Sequence, residues 1–183
     1  MTVILTGFMG CGKSSVGRHL ASLLHCRFTD LDEYISAAAG CSIPEIFASE
    51  GEESFRRREL EALRECLGDA VPADAAQMEQ GPPDTGAVIS LGGGTPARPE
   101  AAALIRGTGA LCVFLRAKVS TLRRNLGPAA SRHRPMLRTH DLEELLAART
   151  PIYESLADIV LDIDGLSVQE VAQILAAEIL HRG

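Results

Sequence analysis

The segment that most constrains the fold of this chain occupies its first fifteen residues. Thr2-Val3-Ile4-Leu5-Thr6 is a short apolar run with the character of a buried strand. It leads directly into Gly7-Phe8-Met9-Gly10-Cys11-Gly12-Lys13-Ser14, which satisfies G-x-x-x-x-G-K-[ST]. Ser15 through Leu24 follows with apolar residues at helical spacing. A strand, a glycine-rich turn and a helix in that order aim successive backbone N–H groups at one point. Lys13 adds a charge there, and the Ser14 hydroxyl is placed to ligate Mg²⁺. A plain turn has no use for a Lys and a Ser at the helix start, so the segment implies a nucleoside triphosphate and phosphoryl chemistry.

The rest of the chain repeats that alternation. Strands are expected over 2–6, 26–29, 87–91, 110–115 and 158–162. Helices are expected over 12–24, 31–39, 43–49, 51–67, 99–106, 119–126, 141–157 and 167–181. Short apolar strands separated by helices imply a parallel sheet covered on both faces, with ligands at the carboxyl ends of the strands. The 183 residues suit a single domain. Residues 69–86 are rich in Pro, Gly and Ala and read as a surface loop. Residues 127–140 form a second irregular stretch, basic in character, as a segment closing over phosphates would be.

Composition excludes several classes. A net charge of −6 argues against a general nucleic-acid binder. No apolar run is long enough to span a membrane, and no signal peptide is evident, so a cytoplasmic protein is expected. Five cysteines without a C-x-x-C spacing fit a reducing compartment rather than a disulfide framework or a zinc site. Cys11 is either a small filler of the phosphate loop or a thiol activated by the helix N-terminus.

Four further segments carry chemistry. Asp30-Leu31-Asp32 follows the second strand. Its carboxylates suit a Mg²⁺-bound water and an acceptor hydroxyl, but Asp30 is equally well placed to cap a helix. Gly51-Glu52-Glu53-Ser54-Phe55-Arg56-Arg57-Arg58-Glu59 puts three arginines early in a helix, where the macrodipole disfavours positive charge. Either they form a solvated face, or one reaches a cleft and clamps a carboxylate, with Glu59 holding the Arg56 guanidinium from i+3. Gly92-Gly93-Gly94 ends the third strand with bare backbone that a ligand can approach. Arg134-Pro135-Met136-Leu137 lies in the basic loop, from which an arginine can neutralise a transferring phosphoryl group. Arg149, in Arg149-Thr150-Pro151-Ile152-Tyr153, is either a site residue or a solvated helix residue.

These pieces, in this order, resemble the shikimate kinases. The resemblance rests on Gly7–Ser14, Asp30-x-Asp32, Gly51-Glu52-x-x-Phe55-Arg56-x-x-Glu59, Gly92-Gly93-Gly94, Arg134-Pro135-x-Leu137 and Arg149-x-Pro151-x-Tyr153. It implies a P-loop kinase-type α/β fold: a five-stranded parallel sheet flanked by helices, as one domain over 1–183. Within it, substrate-binding helices would lie near 31–67 and a lid near 127–140. It implies transfer of the ATP γ-phosphate to the 3-hydroxyl of shikimate, with Mg²⁺, in chorismate and aromatic amino acid biosynthesis. Gly10, Cys11, Gly12, Lys13, Ser14, Ser15 and the lid residue Arg134 would bind the ATP phosphates. Ser14 would ligate the metal directly and Asp30 through water. Lys13, Asp32 and Arg134 would be catalytic, with Asp32 also binding the substrate hydroxyls. Phe47, Phe55, Arg56, Gly93, Gly94 and Arg149 would complete the shikimate pocket, the two arginines on its carboxylate. Arg123 or Arg124 matches a further family arginine, and Asp162–Gly165 matches the adenine loop by position. Residues 69–86 are longer than the family usually has, and Met136 replaces the commoner Leu. A monomer is expected. The competing readings are a kinase of gluconate or a nucleoside monophosphate, and a nucleotide-binding regulator without activity.

Overall fold

The structure, a computed structural model, describes residues 1–68, 86–127 and 141–182. In chain order it runs β1 (Thr2–Thr6), α1 (Lys13–Leu23), β2 (Arg27–Asp30), α2 (Leu31–Ala39) and α3 (Ile43–Leu67). It continues with β3 (Ala87–Ser90), a 3₁₀ turn (Thr95–Ala97), α4 (Pro99–Gly107), β4 (Leu111–Arg116) and α5 (Val119–Leu126). The last elements are α6 (Leu142–Leu156), β5 (Ile159–Asp162) and α7 (Val168–Arg182). The alternation expected from the apolar pattern is present, with strand ends displaced by a residue.

All four strand pairings are parallel and the sheet order is β2-β3-β1-β4-β5. Parallel neighbours cannot be joined by a tight turn, so each connection crosses a face of the sheet, and each of the four contains at least one helix. The central strand β1 shows the consequence. Val3 and Leu5 belong to one apolar core, and Ile4, between them, to the other. On the first face α1 and α7 pack along each other, burying Val16, Leu20, Val171, Leu175 and Ile179. On the second, Leu31, Ile35, Leu63 and Ile105 of α2, α3 and α4 close over Ile89 and Cys112. Full burial of such side chains is worth about 1.5–3 kcal/mol each, which fixes the strand order far more firmly than local propensity can.

The two helices expected over 43–49 and 51–67 are both present, and α3 comprises the pair joined across a kink at the non-helical Gly51 (φ 80°, ψ 174°). That positive-φ backbone, which glycine adopts without strain, makes the kink between the two helical arms. The bend brings Phe47 of the first arm against Phe55 of the second, with ring centroids 4.7 Å apart.

No described helix is long and apolar enough to cross a membrane. All five cysteines are free thiols. The expected loop over 69–86 lies outside the described residues except Gly86. The expected lid over 127–140, with Arg134, lies outside them except Gly127.

Candidate active site

β1 delivers the phosphate loop at the carboxyl edge of the sheet. Gly12 caps α1 in the left-handed conformation (φ 86°) and, among the described residues, makes no side-chain cap hydrogen bond. The first-turn N–H groups of a helix capped in this way suit an anion. Lys13 is buried and turns inward: its ammonium donates to the carbonyls of Gly7 at 2.9 Å and Phe8 at 3.2 Å. Cys11 is also buried, and a Cβ on Gly7 would lie 2.9 Å from its Sγ. It therefore packs as a small filler. On the far side of the loop, Asn125 of α5 donates to the Gly10 carbonyl at 2.9 Å.

Asp30 caps α2 as one of its two readings has it, and its two oxygens have different partners. Oδ1 accepts the backbone N–H groups of Asp32 and Glu33 at 3.0 and 3.3 Å and caps α2. Oδ2 accepts the Ser14 hydroxyl at 2.5 Å and ties the loop to β2. Asp32, in the first turn of α2, is half-buried beside the Gly-rich segment: a Cβ on Gly92 would lie 2.9 Å from its Oδ1.

The arginines of α3 separate by direction. Arg57 is exposed and donates to Ser54, while Arg58 forks onto Glu50 at 2.8 and 3.0 Å. Arg56 points inward, its side chain only 9% exposed. Its Nη1 donates to Glu59 Oε2 at 2.9 Å, its Nη2 to Glu52 Oε1 at 3.2 Å, and the guanidinium lies 5.4 Å from the Phe55 ring centroid. These carboxylates offset the helix-start positive charge.

From the opposite side α6 contributes Arg149, also buried. Its Nη1 donates to the Gly93 carbonyl at 3.1 Å and its guanidinium sits 5.8 Å from the Phe8 ring. Tyr153, one turn on, donates its phenol to the same carbonyl at 2.5 Å. Burial pushes that phenol above its ordinary value, with Arg149 opposing, so it stays a donor at any physiological pH. The glycines between have no room for side chains. A Cβ on Gly94 would lie 3.0 Å from Arg56 Nη1, and one on Gly93 3.2 Å from the Met9 backbone nitrogen and 3.8 Å from Arg149 Nη1. Two buried guanidiniums therefore flank Gly93-Gly94, next to the phosphate loop and Asp32.

The structure thus brings together Gly10, Cys11, Gly12, Lys13, Ser14, Asp30, Asp32, Phe55, Arg56, Gly93, Gly94 and Arg149, with Phe47 behind Phe55. Ser15 is exposed on the first turn of α1. Arg123 is engaged by Glu143 of α6 at 3.0 Å, whereas Arg124 makes no ion pair among the described residues. In the segment matched to the adenine loop, Asp162 is held by Arg116 at 2.6 and 2.7 Å and Asp164 accepts from Thr121 at 2.5 Å. Sequence reading missed Phe8, Thr95, Asn125 and the partner of the Tyr153 hydroxyl. Thr95 directly follows the three glycines, and that adjacency was its one sequence signal.

A family model for shikimate kinase matches residues 9–180. The shikimate kinase of Thioalkalivibrio sulfidiphilus is 40% identical over 176 residues, covering 93% of this chain and 83% of that protein. That of Thermus thermophilus is 39% identical over 175 residues, covering 93% and 85%. Among solved structures, the Acinetobacter baumannii shikimate kinase in complex with shikimate superposes with a TM-score of 0.82 at 28% identity, covering 99% of this chain and 93% of that one. A phosphate loop facing two buried arginines across a triple glycine, and a family match running almost end to end, lead to one assignment: the chain belongs to the shikimate kinase family.

Proposed function

We propose that this protein transfers the γ-phosphoryl group of ATP to the 3-hydroxyl of shikimate, giving ADP and shikimate 3-phosphate. The observation that carries the reading is the pair Arg56 and Arg149, buried on either side of Gly93-Gly94 beside the phosphate loop. Two guanidiniums at one spot suit a carboxylate. Asp32 and the bare Gly93-Gly94 backbone suit the hydroxyls of the ring, and Phe47 and Phe55 suit its carbon face.

In this reading Gly10 through Ser15 hold the ATP phosphates on the N-terminus of α1. The acceptor oxygen forms a bond to the γ-phosphorus as the bond to the β-phosphate oxygen breaks, and the acceptor proton passes to Asp32. Lys13 and Arg134 neutralise the charge on the transferring group, so positioning and electrostatics supply most of the catalysis.

The residues present fit Mg²⁺. Ser14 and Asp30 place a hydroxyl and a carboxylate oxygen together. Ser14 would hold the ion directly and Asp30 through water, and the ion would neutralise phosphate charge. The reading further takes the protein as a cytoplasmic monomer over one domain, with free thiols that suit a reducing compartment.

Incubation with Mg-ATP and shikimate, following ADP release, tests the proposal. Shikimate-dependent turnover is expected. Release no faster than without shikimate, or faster turnover of gluconate or a nucleoside monophosphate, would overturn it.

A further inference from the structure

We infer that Thr95 is a positioning residue for the acceptor clamp, acting on Arg56 through Glu59. The inference rests on the proposed role of Arg56 as a carboxylate ligand.

Thr95 opens the 3₁₀ turn after the three glycines and is fully buried. Its backbone is pinned at both ends: its N–H donates to the Gly92 carbonyl at 3.1 Å, and its carbonyl accepts from Arg98 at 3.2 Å. Its side chain is β-branched and stiff at χ1. The hydroxyl is therefore a donor mounted on rigid backbone. It donates to Glu59 Oε1 at 2.6 Å. Glu59 is 3% exposed, and its other oxygen accepts Arg56 Nη1 at 2.9 Å. With one oxygen on each partner, the carboxylate cannot rotate without breaking a bond.

Arg56 has a second carboxylate partner, Glu52, but that side chain is 59% exposed and its 3.2 Å contact is the longer one. An exposed pair of this kind orients weakly. The direction of the Arg56 guanidinium thus depends on Glu59, and that of Glu59 on Thr95. Removing the hydroxyl strands Oε1 in a buried setting, where an unpaired acceptor is costly. Glu59 relieves this by turning toward another donor or toward water, and Arg56 turns with it. The same Thr95 oxygen lies against Gly92 next to Asp32, so the disturbance reaches the acceptor side and not the phosphate loop.

Thr95→Val removes the hydroxyl at constant shape, and Thr95→Ser keeps it while removing the methyl. Initial rates are measured against shikimate at saturating Mg-ATP and against ATP at saturating shikimate, with thermal midpoints alongside. Thr95→Val should raise the KM for shikimate roughly tenfold or more, as expected for a lost buried hydrogen bond to a charged group. Its KM for ATP should stay within about twofold, since the phosphate loop keeps its own bonds. Thr95→Ser should restore the shikimate KM even if its midpoint is lower. If the valine protein does not fold, Thr95→Ala carries the same expectation. A folded hydroxyl-free variant with unchanged shikimate KM overturns the inference, as does an equal rise in Thr95→Ser. Failure of the wild-type protein to phosphorylate shikimate would instead strike the function on which the inference rests.

Discussion

Arg56, Arg57 and Arg58 are three identical residues with three different fates. A helix turns about 100° per residue, so only one of them can face the cleft. Arg56 faces it, held by Glu59 and Glu52, while Arg57 is exposed. Arg56→Ala should therefore lower kcat/KM for shikimate by on the order of 2–5 kcal/mol, the cost of truncating one member of a buried charge pair. Its KM for ATP should barely change. Arg56→Lys should also raise the shikimate KM, because an ammonium keeps the charge and loses the planar fork. Arg57→Ala should leave both constants and the stability near wild type. Initial-rate kinetics on the three variants decide this, and an unchanged shikimate KM in Arg56→Ala would refute the clamp.

At the scale of elements, the close fit of α1 over the sheet is carried by one small residue. A Cβ on Gly17 would lie 2.3 Å from the Phe28 ring and 3.2 Å from a Leu5 methyl. Phe28 and Leu5 are both buried, so neither can swing away. Gly17→Ala gains about 1 kcal/mol of helix propensity. Overpacking a filled core costs typically about 1–3 kcal/mol, and contact this close belongs at the upper end. The net effect should be destabilising. A Cβ on Gly107, at the last turn of α4, would meet nothing within 4 Å among the described residues. Gly107→Ala should be neutral or stabilising by the same propensity argument. Thermal midpoints of the two variants should move in opposite directions, or Gly17→Ala alone should fall; a rise in Gly17→Ala would show that α1 is not tightly seated.

For the molecule as a whole, the surface carboxylates set the response to acid. Asp162 is held below the usual carboxylate range by hydrogen bonds from Arg116, its register partner on the neighbouring strand. Glu50 is lowered by Arg58 and then Ser54, Glu45 by Ser42, and Glu170 by the Ser167 backbone. In each case the folded form holds its proton less tightly than the unfolded chain. Their stabilisation is therefore complete above the unfolded carboxylate values of roughly 4 and is lost as pH falls below them. Each group is exposed and contributes little alone. Together they predict a urea midpoint that is flat from about pH 7 to 6 and declines from about pH 5 to 3. A midpoint at pH 3.5 equal to that at pH 6 would contradict this.

What the sequence determined by itself is local. The strand, turn and helix of residues 2–24 follow from an apolar run, glycines and a Lys-Ser pair within one short stretch. The alternation of elements follows from apolar periodicity, and the bend of α3 from a single glycine between two helical patterns. Tertiary structure decided whatever depends on partners far apart in the chain. Asp30 could be read as a cap or as a ligand carrier, and only its contact with Ser14, sixteen residues away, shows that each oxygen has its own partner. The sheet order β2-β3-β1-β4-β5 puts the ends of β1 and β3 side by side, so residues of α3 and α6 can meet at one triple glycine. Thr95 meets Glu59 across 36 residues and Tyr153 meets Gly93 across 60, separations over which no periodicity carries information. The physical reason is that periodicity encodes which face of an element is apolar. Which side chains then share a cavity is decided when the crossovers close and two cores are buried at once.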